Sequence, residues 1–160
     1  MTRIVAGSAK GRTLAVPKSG TRPTSERVRE ALFSRLDHMN VLDGATVLDL
    51  YAGTGALGLE ALSRGAARAT LVEKASAAAR VASANVRSTG LPARVVTADA
   101  RTYLGARSGE DLTGEMDLVF IDPPYDIAED DMTTVLASLG SWIGPDALVV
   151  VERSTRAPAP

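Results

Sequence analysis

The chain has 160 residues, with 18 Lys and Arg against 19 Asp and Glu, a single His and no Cys. That length suits one domain burying ~70% of the surface its unfolded form exposes, and the missing cysteines exclude a disulfide framework, a thiolate metal site and a cysteine nucleophile, while His38 alone builds neither a histidine metal site nor a Ser-His-Asp triad. No apolar run approaches membrane-spanning length, and Met1-Thr2-Arg3 leads straight into a strand-like segment without a signal peptide's apolar core, so the expectation is a cytoplasmic protein with no membrane and no metal partner.

The net charge of −1 conceals an asymmetry, because residues 1–38 carry eight Lys or Arg against three acids and residues 39–160 carry ten against sixteen. Such a basic block is either a solvated surface or a footprint for phosphate. The expected organisation is a basic hairpin and helix over residues 1–38, an appendage of the same domain, followed by a ligand-binding core over residues 39–160.

Arg3 to Gly7 and Arg12 to Val16 alternate in the manner of short strands and are joined by Ser8-Ala9-Lys10-Gly11, which predicts a hairpin. Gly20-Thr21-Arg22-Pro23-Thr24 then turns into a helix with Thr24 or Ser25 as N-cap and Glu26 in the first turn. Along that helix Val28, Leu32, Leu36 and Met39 recur at three- and four-residue spacing and mark a core face. Arg27, Arg29 and Arg35 fall off that stripe and either meet an anionic partner or only solubilise the helix.

Next come a strand at Thr46 to Leu50, a helix at Leu57 to Arg64 closed by Gly65, and a strand at Ala69 to Glu73. A helix at Ala75 to Ser88 is closed near Gly90, and a third strand covers Ala93 to Ala98. A short helix around Ala100 to Leu104 and a polar loop lead to a fourth strand at Met116 to Ile121, a helix at Glu129 to Leu139 and a fifth strand at Ala147 to Glu152. Strand and helix alternate, which predicts an α/β fold with a mainly parallel sheet covered on both faces.

Asp122-Pro123-Pro124-Tyr125 follows the fourth strand, at the carboxyl end where open parallel sheets place their ligands. Each proline fixes its φ and removes an N–H, leaving carbonyl acceptors on a stiff frame. With a carboxylate in front and a flat ring behind, the set suits a planar group bearing an exocyclic NH2: two acceptors take its hydrogens while the ring stacks on its face. A simple turn is the competing reading.

Between the first core strand and its helix lies Asp49-Leu50-Tyr51-Ala52-Gly53-Thr54-Gly55-Ala56-Leu57-Gly58. Gly53 and Gly55 let the backbone approach a ligand, and Gly58 allows close helix-to-strand packing. Asp49 would oppose a pyrophosphate but attract an ammonium, Glu73 at the next strand end would accept ribose hydroxyls, and Asp99 at the third lies within reach of an adenine amine. Tyr51 and Ala100 adjoin these positions and are grouped with them, although for Tyr51, as for Trp142, packing is the favoured reading over contact with a substrate. Taken singly, Asp49 could cap the following helix, Glu73 could pair with Lys74 or Arg94, and Asp99 could cap the helix at Ala100. Together with the glycines they describe a pocket for a cationic, adenosine-containing molecule such as S-adenosylmethionine.

The chain resembles the bacterial RsmD-type family of class I S-adenosylmethionine-dependent methyltransferases. The likeness runs from Arg3 to about Arg153 through Arg22-Pro23-Thr24, Arg27 to Phe33, Asp49 to Gly65 and Asp122 to Tyr125. It implies a Rossmann-like core with S-adenosyl-L-methionine as cofactor, methylating N2 of a guanine in 16S ribosomal RNA, the guanine 966 type. The substrate is expected within a small-subunit assembly particle and the protein as a monomer. Asp122, Pro123, Pro124 and Tyr125 are then the catalytic set, while Lys10, Arg12, Lys18, Arg22, Thr24, Arg27 and Arg29 are the RNA-binding set. The family usually continues past the fifth strand into a closing β-hairpin, whereas this sequence stops at Pro160, so the completion of that sheet edge stays open. Rival readings are an amino-methyltransferase acting on DNA adenine or protein glutamine, and a non-catalytic RNA-binding assembly factor.

Overall fold

The computed structural model describes residues 2–16, 25–106, 115–124 and 126–152. Among the predicted site residues, Lys18, Arg22, Thr24 and Tyr125 lie outside them. Five parallel strands form the sheet: β3 (Thr46–Leu50), β4 (Arg68–Glu73), β5 (Ala93–Thr97), β6 (Met116–Ile121) and β7 (Ile143–Val151), in the order β5-β4-β3-β6-β7. Chain order reverses between β3 and β6, so those two strands flank the crevice in which open α/β sheets bind ligands. The fifth strand begins at Ile143 rather than Ala147, because a register shift opposite Met116 to Leu118 lets the chain pair across Gly144 to Ala147.

Side chains of the interior strands alternate between two apolar layers, as the pleat requires. Val47, Leu71, Leu118 and Phe120 pack under α1 (Glu26–His38) and α2 (Ala56–Ser63), and Val86 of α3 (Ser76–Thr89) joins them. Leu48, Leu50, Val72, Val119 and Ile121 pack against α4 (Ala100–Ala106) and α5 (Glu129–Ser138), where Trp142 is fully buried, stacks 5.2 Å from Tyr103 and donates to the Leu104 carbonyl at 3.2 Å. Among the described residues, no helix is long and apolar enough to cross a membrane.

The hairpin is shorter than its sequence pattern. Strands β1 (Thr2–Arg3) and β2 (Thr13–Leu14) pair antiparallel in a separate small sheet. Ile4 still exchanges bonds across the hairpin, donating to the Arg12 carbonyl at 3.0 Å and accepting from the Gly11 amide at 2.9 Å, but beyond it the pairing ends, and Val5 and Ala6 donate to the two Glu60 oxygens of α2, at 2.9 and 3.1 Å. Ser63 adds a second hook, accepting from the Ala9 amide at 2.9 Å and donating to the Ala6 carbonyl at 2.6 Å. Ile4, Ala9 and Leu14 share one buried cluster with Phe33, Leu36 and the sheet, so hairpin, α1 and strands are built around common core.

Helix α1 corrects two expectations. Ser25 is its N-cap, accepting from the Val28 amide at 3.1 Å, but the buried positions are Arg29, Phe33 and Leu36, while Val28 and Met39 are exposed. Arg29 is therefore not a phosphate ligand. Its side chain is completely buried, pairs with the equally buried Glu60 at 3.6 Å and donates to the Arg3 carbonyl. An ion pair substitutes for an apolar contact on that face, and a count of hydrophobic residues alone selects the neighbouring stripe.

Candidate active site

The sheet order brings the four predicted carboxylates to one edge, running Asp99 after β5, Glu73 at the end of β4, Asp49 on β3 and Asp122 after β6. Their spacing follows from neighbouring strands lying about 4.8 Å apart. Asp49 is paired in register with Leu71 on one side and Phe120 on the other, deep in the sheet, and is 1% exposed. Its Oδ2 accepts from the Gly58 amide in the first turn of α2 at 3.0 Å, so the helix-capping role holds. Its Oδ1 is buried without a hydrogen-bond partner among the described residues. Burial pushes this carboxyl up to about 8; the Gly58 amide opposes the rise, and the charges of Asp122 and Glu73 add to it.

Gly58 is fixed by that approach: a Cβ there would fall 2.3 Å from a Leu71 methyl and 3.3 Å from Asp49 Oδ2. The loop before it turns through left-handed backbone at Tyr51 (φ 60°), Gly53 (φ 57°) and Gly55 (φ 85°). For tyrosine such a conformation costs about 1–3 kcal/mol and marks a segment held by its surroundings. The restraints are visible: Ala52 donates to the Val72 carbonyl at 2.9 Å, Gly53 to Glu73 Oε1 at 2.8 Å, and Gly55 to the Ala52 carbonyl at 2.8 Å. A Cβ on Gly53 would meet nothing within 4 Å among the described residues, so the loop presents open backbone to them at the strand ends.

Glu73 pairs with neither Lys74 nor Arg94. Its carboxylate instead receives the Gly53 and Ala75 amides, both at 2.8 Å, joining the β3 loop to the start of α3. Asp99 caps α4, accepting from the Arg101 amide at 2.9 Å, and it also meets the Arg101 guanidinium at 3.4 Å. Burial opposes its ionisation, but the Arg101 and Thr102 amides and the Arg101 charge outweigh that and hold the carboxyl below its usual range. Arg101 continues to Asp131 of α5 at 2.7 Å, spanning the outer rim. Ala100, at the start of α4, is buried. Tyr51 lies half-buried near this group; burial first, and then the Asp99 charge, push its hydroxyl up to about 12, so it stays protonated.

Asp122 and Pro123 are half-buried and Pro124 is exposed, directly after β6. Lys10, Arg12 and Arg27 are exposed, Lys10 and Arg12 on the hairpin and Arg27 on α1. A cavity of about 600 Å³ opens at the opposite, amino end of the strands, lined by Arg68, Thr70, Arg94 and Tyr103, and contains none of the carboxylates.

A cationic, adenosine-bearing ligand fits the carboxyl-end site on two observations: a buried carboxylate oxygen that no described residue satisfies, and a glycine loop with no described residue over Gly53. The contributions of Glu60 and Asn85 are not apparent from motif spacing. Their signal is a long polar side chain inside an otherwise small or apolar helix stripe, Glu60 within Ala56–Ser63 and Asn85 after Ala78 and Ala82.

Comparison with known proteins gives a consistent set of likenesses. The family model described as "Conserved hypothetical protein 95" matches residues 2–160. The chain is 41% identical over 152 residues to the ribosomal RNA small subunit methyltransferase D of Escherichia coli K12, covering 94% of this chain and 73% of that protein. It is 34% identical over 154 residues to the protein of the same name from Haemophilus influenzae, covering 94% and 77%. Among solved structures, a hypothetical protein of Thermus thermophilus superposes with a TM-score of 0.86 at 36% identity, over 100% of this chain and 90% of that one.

Proposed function

As the chain belongs to the conserved hypothetical protein 95 family, that of the RsmD-type small-subunit ribosomal RNA methyltransferases, we propose that it transfers a methyl group from S-adenosyl-L-methionine to the exocyclic N2 of a guanine in 16S ribosomal RNA, the guanine 966 type. The observation that carries this reading is the row of carboxylates Asp99, Glu73, Asp49 and Asp122 along the carboxyl edge of β5-β4-β3-β6. The first three serve the cofactor and the fourth serves the acceptor. Asp49 supplies negative charge beneath the Gly53 to Gly55 loop, Glu73 offers its remaining lone pairs to ribose hydroxyls, and Asp99 with Ala100 borders the base.

S-adenosylmethionine supplies, when bound, a methyl on a sulfonium that is already strongly activated toward displacement. The protein's task is alignment and exclusion of water. The lone pair of a guanine N2 is delocalised into its ring, so Asp122 and the Pro123 carbonyl accept its two hydrogens and turn the nitrogen toward the methyl. Pro124 keeps the frame stiff, and Tyr125 stacks on a base that has left its RNA context. Asp122 then takes the released proton, which requires no strong base beforehand. Lys10, Arg12 and Arg27, with Lys18, Arg22 and Thr24 of the neighbouring segment, hold RNA phosphates on a small-subunit particle, and the protein acts as a monomer.

Two results are expected from this assignment. The raised Asp49 carboxyl keeps its proton in the folded protein up to about pH 8, whereas an ordinary carboxyl loses it near 3.8. Asp49 therefore lowers stability as pH rises between those values, and a bound ammonium reverses the preference by favouring the ionised form. Binding of the cofactor at pH 7 should release roughly one proton, and its affinity should rise with pH and level off near 8. Calorimetry in two buffers of different ionisation enthalpy reads the release directly; Asp49→Asn should remove it, and a wild-type protein that releases none contradicts the role given to Asp49.

The substrate class is tested by methyl transfer from labelled S-adenosylmethionine into 16S ribosomal RNA, DNA and bulk protein in parallel, with RNA alone expected to be labelled. Neutralising Lys10, Arg12 and Arg27 together should flatten the log-affinity against log-salt slope for RNA by about 2–3 units and leave cofactor binding intact. An unchanged slope would place the RNA elsewhere.

A further inference from the structure

Asn85 lies near the end of α3, on the stripe that begins with Ala78 and Ala82, and is 2% exposed. A carboxamide there needs partners, and three are present. Its Oδ1 accepts from the Ala15 amide at 2.7 Å, while Nδ2 donates to the Ala15 carbonyl and to the Thr54 carbonyl, both at 3.0 Å. Both hydrogens and one acceptor site are thereby used, and the amide brackets Ala15 as a neighbouring strand would.

The two segments it joins belong to different halves of the proposed reaction. Ala15 directly follows β2 in the basic hairpin that carries exposed Lys10 and Arg12. Thr54 stands between Gly53 and Gly55 in the loop facing the cofactor position, and the Thr54–Gly55 peptide is fixed at both ends, its carbonyl by Asn85 and its N–H by the Ala52 carbonyl. Arg12 reaches the same helix, donating to the Ser88 carbonyl at 3.5 Å. Hairpin and loop thus share one buried hydrogen-bond donor.

From this juxtaposition we infer that Asn85 is a positioning residue that links the two binding events, so that RNA held on the hairpin tightens cofactor binding and the cofactor tightens RNA binding. The inference rests on the assignment of hairpin to RNA and loop to cofactor given above. Linkage makes the effect reciprocal, and ordering of the shared segment by one ligand lowers the cost to the other without any large movement.

The test is a binding cycle on the full chain with S-adenosylhomocysteine as unreactive cofactor probe, titrated alone and with saturating 16S ribosomal RNA or small ribosomal subunits. In the wild-type protein RNA should tighten the probe roughly five- to twentyfold. Asn85→Ala, and Asn85→Asp, whose carboxylate still accepts from Ala15 but cannot donate to either carbonyl, should reduce that factor to within about twofold of unity while melting cooperatively. Wild-type protein without coupling, or variants that keep it, overturns the inference. If neither RNA form binds the wild type, the RNA assignment falls and the inference with it, whereas RNA and probe binding without coupling overturns the inference alone. A folding defect in both variants is met by hydrogen exchange in the unsubstituted protein, where the probe should slow exchange of the Ala15 amide by about tenfold; unchanged exchange at that amide overturns the linkage.

Discussion

Asp122→Ala should reduce methyl transfer by at least about a thousandfold while S-adenosylmethionine affinity stays within about threefold of wild type. The expectation follows from position: Asp122 lies after β6, on one side of the reversal in strand order, and Glu73, Asp49 and Asp99 lie on the other side. Removing Asp122 deletes one of two acceptors for the target amine, so the lone pair is no longer directed at the methyl. Asp122→Asn keeps an acceptor of the same reach and should retain more activity than the alanine variant. A small change in the pH profile of cofactor binding should accompany either substitution, because the Asp122 charge helps to raise the Asp49 carboxyl. Stopped transfer with unchanged cofactor binding supports the division of roles; near-normal turnover removes it.

The second large effect concerns stability. Glu60 is fully buried and satisfies four partners: the Val5 and Ala6 amides, Arg29 at 3.6 Å and Arg64 at 2.9 Å. Arg64 continues to Asp37 at 2.8 Å and Glu30 at 3.2 Å and lies 5.2 Å over the Phe33 ring, so the network ties β1, α1 and α2 together. Glu60→Ala takes a shared carboxylate away from a buried guanidinium and two amides and should cost about 3–5 kcal/mol. In a chain of this size that lowers the melting temperature by roughly 10 °C. Arg29→Met should cost clearly less, since Glu60 then keeps Arg64 and both amides. Thermal melts of the two variants under one condition decide it, and equal losses would mean that the amides contribute little.

Most of the core was legible because it rests on local rules. The β3 strand is an apolar run with Asp49 as its one charged residue, β6 is an apolar run that leads into Asp122, and α1 starts at a capping serine, so periodicity and capping locate them within a residue or two. Gly58 was legible for a physical reason that the structure makes explicit, the contact with Leu71. What failed was whatever depends on partners distant in sequence. Arg29 reads as a surface cation until Glu60, 31 residues later, is placed against it. The hairpin ladder reads as longer because nothing in residues 3–16 shows that Glu60 takes the Val5 and Ala6 amides. The carboxylates expected at the site do lie along one sheet edge, and the structural bonds that three of them make leave room for the ligand roles proposed for them. Asp49 caps α2 and still carries an unsatisfied oxygen, and Glu73 braces the glycine loop at the strand end where a ribose would lie.

Methylation of one guanine nitrogen at a site organised by Asp122 is the central proposal. The most direct measurement is mass spectrometry of 16S ribosomal RNA, digested to nucleosides and to mapped fragments after incubation as small-subunit particles with the protein and isotopically labelled S-adenosylmethionine. The account predicts label in N2-methylguanosine at a single nucleotide, and none with Asp122→Ala. Label on adenine N6, on a ring carbon or spread over many guanines would contradict it, as would equal labelling by the Asp122→Ala variant.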